Sequence, residues 1–159
     1  MKTVVVFYSL EGNTRFVSQT IKEKIDAELL ELKTVQDISS LGFLKYPVGG
    51  FQAIFGIRPE LEKFTFDPEA YDFLIFGTPV WAGKNVPAFN TFFSKVSVKG
   101  KKVAVFATSG GDSRGVVKDF GNLLKGNEIF TGENFINTKR DKENTEKKVD
   151  NWLRSLNLM

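Results

Sequence analysis

The stretch Thr3-Val4-Val5-Val6-Phe7-Tyr8-Ser9-Leu10-Glu11-Gly12-Asn13-Thr14 decides the fold of this chain. Its first half is an unbroken apolar and β-branched run, which is typical of a strand buried on both faces of a parallel sheet. Its second half is a polar loop, and the apolar residues that follow, Phe16, Val17, Ile21 and Ile25, have helical spacing. A helix N-terminus presents unpaired N–H groups and a partial positive charge. The loop therefore predicts a site for an anion such as phosphate, the alternative being a plain helix cap with a tight turn.

The rest of the chain alternates between strand-like and helix-like patterns. Strands are expected at 3–8, 29–32, 72–77, 102–108 and 128–135, and helices at 14–24, about 86–95, 116–124 and 141–156. This alternation predicts a single α/β domain, residues 1–159, with a doubly wound five-stranded parallel sheet in the order 2-1-3-4-5 and helices on both faces. Trp152 lies on an apolar face of the last helix and is expected in the core.

A second polar loop, Thr78-Pro79-Val80-Trp81-Ala82-Gly83, follows the third strand. In the expected order the first and third strands are neighbours, and ligands of such sheets bind beyond the carboxyl ends of the strands at this point. Trp81 lies off any periodic apolar face, so we expect its indole to stack on a planar ring rather than to fill the core. Together the two loops suit a ligand with a phosphate at one end and a flat ring at the other.

The composition narrows the chemistry that this chain can perform. Its 159 residues include no cysteine and no histidine, which excludes disulfides, thiolate metal sites and a Ser-His-Asp triad, and we identify no catalytic residue and no metal site. The net charge is +3, and basic residues are mixed with acidic ones, so we expect no nucleic-acid partner. We interpret the basic stretch 139–148 as a solvated helix face rather than an anion-binding patch. No membrane span and no signal peptide are expected, which indicates a cytoplasmic protein with no membrane partner.

Three loops give the chain a resemblance to the flavodoxin family along nearly its whole length. Loop 9–14 is similar to the phosphate loop of that family, and loop 77–83 resembles its second flavin loop. Ser109-Gly110-Gly111-Asp112 follows the fourth strand, where the third flavin loop of the family lies, although Asp112 also suits a helix cap. The resemblance implies FMN as the cofactor. It assigns FMN binding to Ser9, Leu10, Glu11, Gly12, Asn13, Thr14, Thr78, Pro79, Val80, Trp81, Ala82, Gly83, Ser109, Gly110, Gly111 and Asp112.

The chain departs from the family pattern at two loops. Glu11 replaces the usual hydroxyl or amide, and we expect its carboxylate to point to solvent or to accept from a neighbouring backbone N–H. The third loop has no tyrosine, so one face of a bound ring is expected to be open. Loop 9–14 contains no arginine or lysine, which predicts neutral hydrogen-bond recognition of one phosphate. It also lacks the glycines of dinucleotide-binding loops, which favours FMN over FAD or NAD.

The resemblance implies an FMN-binding electron-transfer protein whose partners are redox proteins. The alternative is an NAD(P)H-dependent flavin or quinone oxidoreductase that uses bound FMN, which the mild basicity and the missing second aromatic favour. A monomer or weak homodimer is expected. The aromatic segment 42–57 is interpreted either as a helix that covers the sheet or as a lid or dimer surface near the ligand.

Overall fold

The computed structural model describes residues 1–111 and 114–159, and of Arg114 only the backbone. The strands are β1 (Thr3–Phe7), β2 (Glu28–Glu31), β3 (Phe73–Pro79), β4 (Lys102–Ser109), β5 (Glu128–Ile129) and β6 (Glu133–Ile136). The helices are α1 (Asn13–Ile25), α2 (Lys45–Ile54), α3 (Pro87–Lys95), α4 (Arg114–Leu123) and α5 (Lys142–Ser155), with 3₁₀ turns at Ile38–Leu44 and Pro68–Ala70. None of the helices described is both long and apolar enough to cross a membrane.

The strand pairs of the described sheet are parallel, in the order β2-β1-β3-β4-β5, with β6 also paired to β4. This order confirms the predicted doubly wound fold. The expected fifth strand differs in one respect, because it is split into the short segments β5 and β6. Between them, the Thr131 carbonyl accepts a hydrogen bond from the Trp152 indole N–H at 2.9 Å. Gly132 passes so close to helix α4 that a Cβ there would lie 2.2 Å from a methyl carbon of Val117.

Alternating side chains of the strands form two hydrophobic cores, one on each face of the sheet. On one face, Phe76 of β3 packs with Phe89 of α3 and Phe120 of α4, and all three are fully buried. On the other face, Trp152 of α5 packs against Phe106 of β4, which confirms its predicted core position. Burial on both faces explains the unbroken apolar runs inside β1, β3 and β4.

The aromatic segment 42–57 lies beside the loops rather than over the sheet. Its large apolar side chains are exposed to solvent: Phe43, Leu44, Tyr46, Phe51, Ile54, Phe55 and Ile57. The buried residues of α2 are instead the small Gly49 and Ala53. A Cβ at Gly49 would lie 3.0 Å from Cε3 of Trp81, so the helix backbone packs directly on the indole. Of the two interpretations of this segment, the structure favours the second, an element that lies near the predicted ligand, because α2 packs on the Trp81 loop.

The carboxyl ends of β1, β3 and β4 lie side by side. Phe7 at the end of β1 pairs with Gly77, and Pro79 at the end of β3 pairs with Thr108 of β4. The three loops that follow these strands therefore meet at one edge of the sheet, as the order of the strands requires.

Candidate functional site

One cavity of about 340 Å³ lies at this edge of the sheet and is bounded by all three loops. The predicted site residues on its wall are Ser9, Leu10, Glu11, Asn13, Thr14, Pro79, Val80, Trp81, Ser109 and Gly110. Residues that the sequence did not assign complete the wall: Tyr46, Thr108, Asn137, Lys139 and Arg140. We call this space the loop cavity.

Several predicted site residues shape the loops instead of lining the cavity. Gly12 has a φ of 85° and caps α1, a conformation that favours glycine. The buried Thr78 hydroxyl accepts the Val86 N–H at 3.2 Å and donates to the Pro79 carbonyl at 2.8 Å, which fixes the start of the Trp81 loop. Ala82 and Gly83 both have positive φ and form the turn after Trp81. The Gly111 carbonyl accepts a hydrogen bond from the Ser109 hydroxyl. The predicted site residue Asp112 lies outside the described residues.

Loop 9–14 carries free backbone donors at the N-terminus of α1. The Ser9 hydroxyl oxygen accepts the N–H groups of Gly12 at 3.1 Å and Arg15 at 3.2 Å, and its O–H can still donate toward a ligand. Among the described residues, no protein acceptor takes the N–H groups of Glu11, Asn13 and Thr14. These three residues line the loop cavity, so their N–H groups and the helix dipole suit a phosphate there.

Two side-chain hydrogen bonds fasten loop 9–14 to distant parts of the chain. The hydroxyls of Thr14 and Thr108 are 2.8 Å apart and buried, which joins the loop to the end of β4. The Thr138 hydroxyl donates to Asn13 Oδ1 at 3.0 Å, which joins it to the loop between β6 and α5. Because the amide oxygen of Asn13 is occupied, its NH₂ group is left to donate toward a ligand.

We expect Thr14→Ala to weaken FMN binding by about 0.5–1.5 kcal/mol, because a hydroxyl donor leaves the phosphate end of the cavity. It should also destabilise the fold by about 1 kcal/mol, since the Thr108 hydroxyl loses its buried partner. Titration with FMN and with riboflavin, together with urea unfolding, measures both effects. Thr14→Ser keeps the hydroxyl and serves as the control, and equal losses for FMN and riboflavin would show that Thr14 does not serve the phosphate.

The Glu11 side chain is exposed to solvent, as expected, and its carboxylate pairs with two side chains of α2 rather than with a backbone N–H. The Tyr46 hydroxyl donates to Glu11 Oε1 at 2.5 Å, and the Lys45 ammonium lies 2.9 Å from the same oxygen. The Tyr46 hydrogen bond and then Lys45 hold the pKa of Glu11 below its ordinary value. The negative charge is therefore neutralised by α2, which reduces its repulsion of an anion in the loop.

Lys139 and Arg140 bring positive charge to the loop cavity. The Lys139 ammonium donates to the backbone carbonyl of Glu11 at 2.9 Å, across 128 positions of sequence. The expectation of neutral recognition considered loop 9–14 alone. Lys139 and Arg140 are exposed, as the interpretation of 139–148 expected, but they lie in the turn before α5 and not on its helix face. Their position directly after the fifth strand, at the same sheet edge, was the signal that would have identified them.

Trp81 is partly buried, and its indole borders the loop cavity. The ring meets Tyr8 edge-on, with centroids 5.6 Å apart and planes at 89°. Burial raises the pKa of Tyr8 to about 12, so this neighbour stays neutral. Trp81 also forms a wall of a second cavity of about 270 Å³ on the side of Tyr8 and Ile57. Stacking of Trp81 on a flavin stays a prediction, and Tyr46 is a second aromatic residue at the loop cavity.

The fold and the loop cavity define an α/β protein of the doubly wound class, with unpaired N–H donors and an aromatic wall at its switch point. The chain belongs to the flavodoxin family, whose model matches residues 54–156. The match begins after loop 9–14, so the assignment of that loop rests on its geometry.

Individual proteins resemble the chain over most of its length. The flavodoxin-like domain-containing protein BilS of Clostridioides difficile (strain CD3) is 27% identical over 136 residues, which are 82% of this chain and 62% of that protein. A flavoprotein of Lactobacillus acidophilus NCFM, solved in complex with FMN, is 27% identical with a TM-score of 0.72, covering 89% of this chain and 97% of the other. A Bacteroides uniformis ATCC 8492 protein described as a flavoprotein has a TM-score of 0.78 over 96% and 97% of the two chains, and at 22% identity it shares the fold alone.

Proposed function

We propose that this chain binds FMN in the loop cavity and works as an electron-transfer flavoprotein. The observation that carries the proposal is that a single cavity joins free N–H donors at the start of α1 to the aromatic wall at Trp81. One end suits a phosphate and the other a planar ring. The similar flavoprotein of Lactobacillus acidophilus was solved in complex with FMN, which supports the choice of ligand.

The chain's own residues divide the work of holding the cofactor. The N–H groups of Glu11, Asn13 and Thr14 would hold the phosphate, with the Asn13 amide as a further donor. Pro79, Val80 and Trp81 would lie along the ring, with Ser109 and Gly110 on the side of β4. Bound FMN supplies the capacity to accept and donate electrons, while the protein positions the ring and controls access to it.

Electron transfer needs no acid or base beside the ring, and the ionisable residues of the loop cavity, Glu11, Tyr46, Lys139 and Arg140, lie on the sides of loop 9–14, α2 and the loop before α5. The ring-side residues Pro79, Val80, Trp81, Ser109 and Gly110 include no ionisable side chain, although Asp112 lies outside the part that the structure describes. As partners of such an electron-transfer protein we propose redox proteins, with the chain as a monomer or weak homodimer.

A second candidate is an NAD(P)H-dependent flavin or quinone oxidoreductase. It is favoured by the third loop, where a Cβ built on Gly110 or Gly111 would meet no atom of the described part of the chain within 4 Å. A planar nicotinamide or quinone could approach the ring from this side. Oxidation of NADH or NADPH by the FMN-loaded protein, with a quinone as acceptor, distinguishes the two candidates. Turnover supports the oxidoreductase, and its absence together with electron exchange with a redox protein supports the carrier.

The ligand itself is tested by titrating the cofactor-free protein with FMN, riboflavin and FAD. We expect FMN to bind on the order of 100-fold more tightly than riboflavin, because several N–H groups donate to a charged phosphate. FAD should bind more weakly than FMN, since loop 9–14 lacks the glycines of a dinucleotide loop. Absence of measurable FMN binding, or a preference for FAD, would overturn the proposal.

A further inference from the structure

We propose that Lys139 and Arg140 form a cationic wall of the phosphate subsite, so that the site recognises its ligand as a charged phosphate ester and not by neutral hydrogen bonds alone. This inference rests on the proposed function, in which a phosphate lies at the start of α1. Under this proposal the loop between β6 and α5 selects for a charged phosphate. Loop 9–14 cannot do so with side-chain charge, because none of its residues on the cavity wall is a cation.

The position of the Lys139 ammonium is the first argument. Its Nζ lies 2.9 Å from the backbone carbonyl oxygen of Glu11 and 3.5 Å from a Cβ built on Gly12. An ammonium has three N–H donors, and the bond to Glu11 uses one of them. Lys139 and Arg140 share the cavity wall with Asn13 and Thr14, whose N–H groups are free. The Lys139 ammonium therefore adds a positive charge to the subsite in which these N–H groups would hold the phosphate.

The loop that carries the two cations is fixed in place, which is the second argument. The buried Thr138 hydroxyl donates to Asn13 Oδ1 at 3.0 Å. The Asn137 N–H donates to the Ser109 carbonyl at 3.0 Å, and the Arg140 N–H donates to the Asn137 carbonyl at 2.9 Å. The backbone of this loop is thus tied both to loop 9–14 and to the end of β4. Little conformational freedom of the backbone needs to be lost when a ligand binds.

Electrostatics is the third argument. A cation beside a helix N-terminus faces the positive end of the helix dipole, which is unfavourable unless an anion lies between them. Glu31 pairs with Arg15, and the Glu11 carboxylate, which also attracts Lys139 from a distance, makes its direct contacts with Lys45 and Tyr46. A phosphate in the cavity would offset this excess of positive charge and be attracted by it.

The test compares FMN and riboflavin affinities of the wild type, Lys139→Gln and Arg140→Gln at low and at moderate ionic strength. Lys147→Gln is the matched control, because this substitution changes the net charge by the same amount away from the cavity. Lys147 is an exposed residue of α5 that pairs with Glu143. We expect Lys139→Gln to weaken FMN binding about tenfold. Riboflavin, which has no phosphate, should bind the variant as it binds the wild type. The salt dependence of FMN binding should become shallower in the variant, since a charge contact is lost.

Inorganic phosphate provides a probe without a ring. It should compete with FMN for the wild type, compete less for Lys139→Gln, and leave riboflavin binding unchanged. If FMN binds the wild type but Lys139→Gln and Arg140→Gln retain its affinity, the cationic wall is wrong while the proposed function stands. Equal losses for FMN and riboflavin with unchanged salt dependence would show a merely structural role for the loop and would also overturn it. If FMN does not bind the wild type, the proposed function itself fails.

Discussion

Replacement of Phe76 by alanine is expected to lower the free energy of unfolding by about 3–5 kcal/mol. The side chain is fully buried at the centre of β3, and its ring lies 5.4 Å from that of Phe93 and 5.8 Å from that of Phe120. Truncation removes this burial and leaves a space that strand and helix backbones cannot close. Urea unfolding followed by circular dichroism measures the loss as a lower midpoint.

Phe43→Ala is the control for this prediction, since that ring is 80% exposed. Its effect on unfolding should stay within about 0.5 kcal/mol, as for most surface substitutions. Similar losses for the two variants would contradict the assignment of Phe76 to a packed core. The comparison also tests whether the exposed aromatic residues of segment 42–57 contribute to the stability of the isolated chain.

Trp81→Ala should weaken the binding of FMN and of riboflavin alike, by about 1–3 kcal/mol, from lost ring contact and apolar burial. An indole against the flavin quenches flavin fluorescence, so the variant should also recover part of the emission of the bound ligand. The equal effect on both ligands distinguishes this variant from Lys139→Gln, which should affect FMN alone. Fluorescence titration gives both quantities in one experiment.

Trp152→Phe is the matched control, because Trp152 is the other tryptophan of the chain and packs in the core against Phe106. It should leave flavin binding and quenching unchanged. If Trp81→Ala leaves the emission of bound FMN as quenched as in the wild type, Trp81 does not stack on the ring. In that case the role of Trp81 is structural, through its packing between Tyr8 and Gly49.

Local sequence patterns were sufficient for the order of elements in this chain. The apolar runs of β1, β3 and β4 and the helical spacing after Thr14 are properties of neighbouring residues, so they can be read without the fold. Alternation of strands and helices then limits the sheet to few arrangements, of which 2-1-3-4-5 places both polar loops at one edge. The split of the fifth strand was not predicted from the sequence. The residues between its two segments contact Trp152 and Val117, which are distant in sequence.

What the sequence by itself determined was the fold, the sheet edge that carries the cavity and the loops around it. Only the tertiary structure decided how the side chains at that edge are used. The Ser9 hydroxyl oxygen accepts the N–H groups of Gly12 and Arg15, which lie in the turn that folds back over it. Tyr46 and Lys139 reach Glu11 across 35 and 128 positions of sequence. No local pattern encodes such contacts, because they arise when separate strands and helices pack at one edge of the sheet.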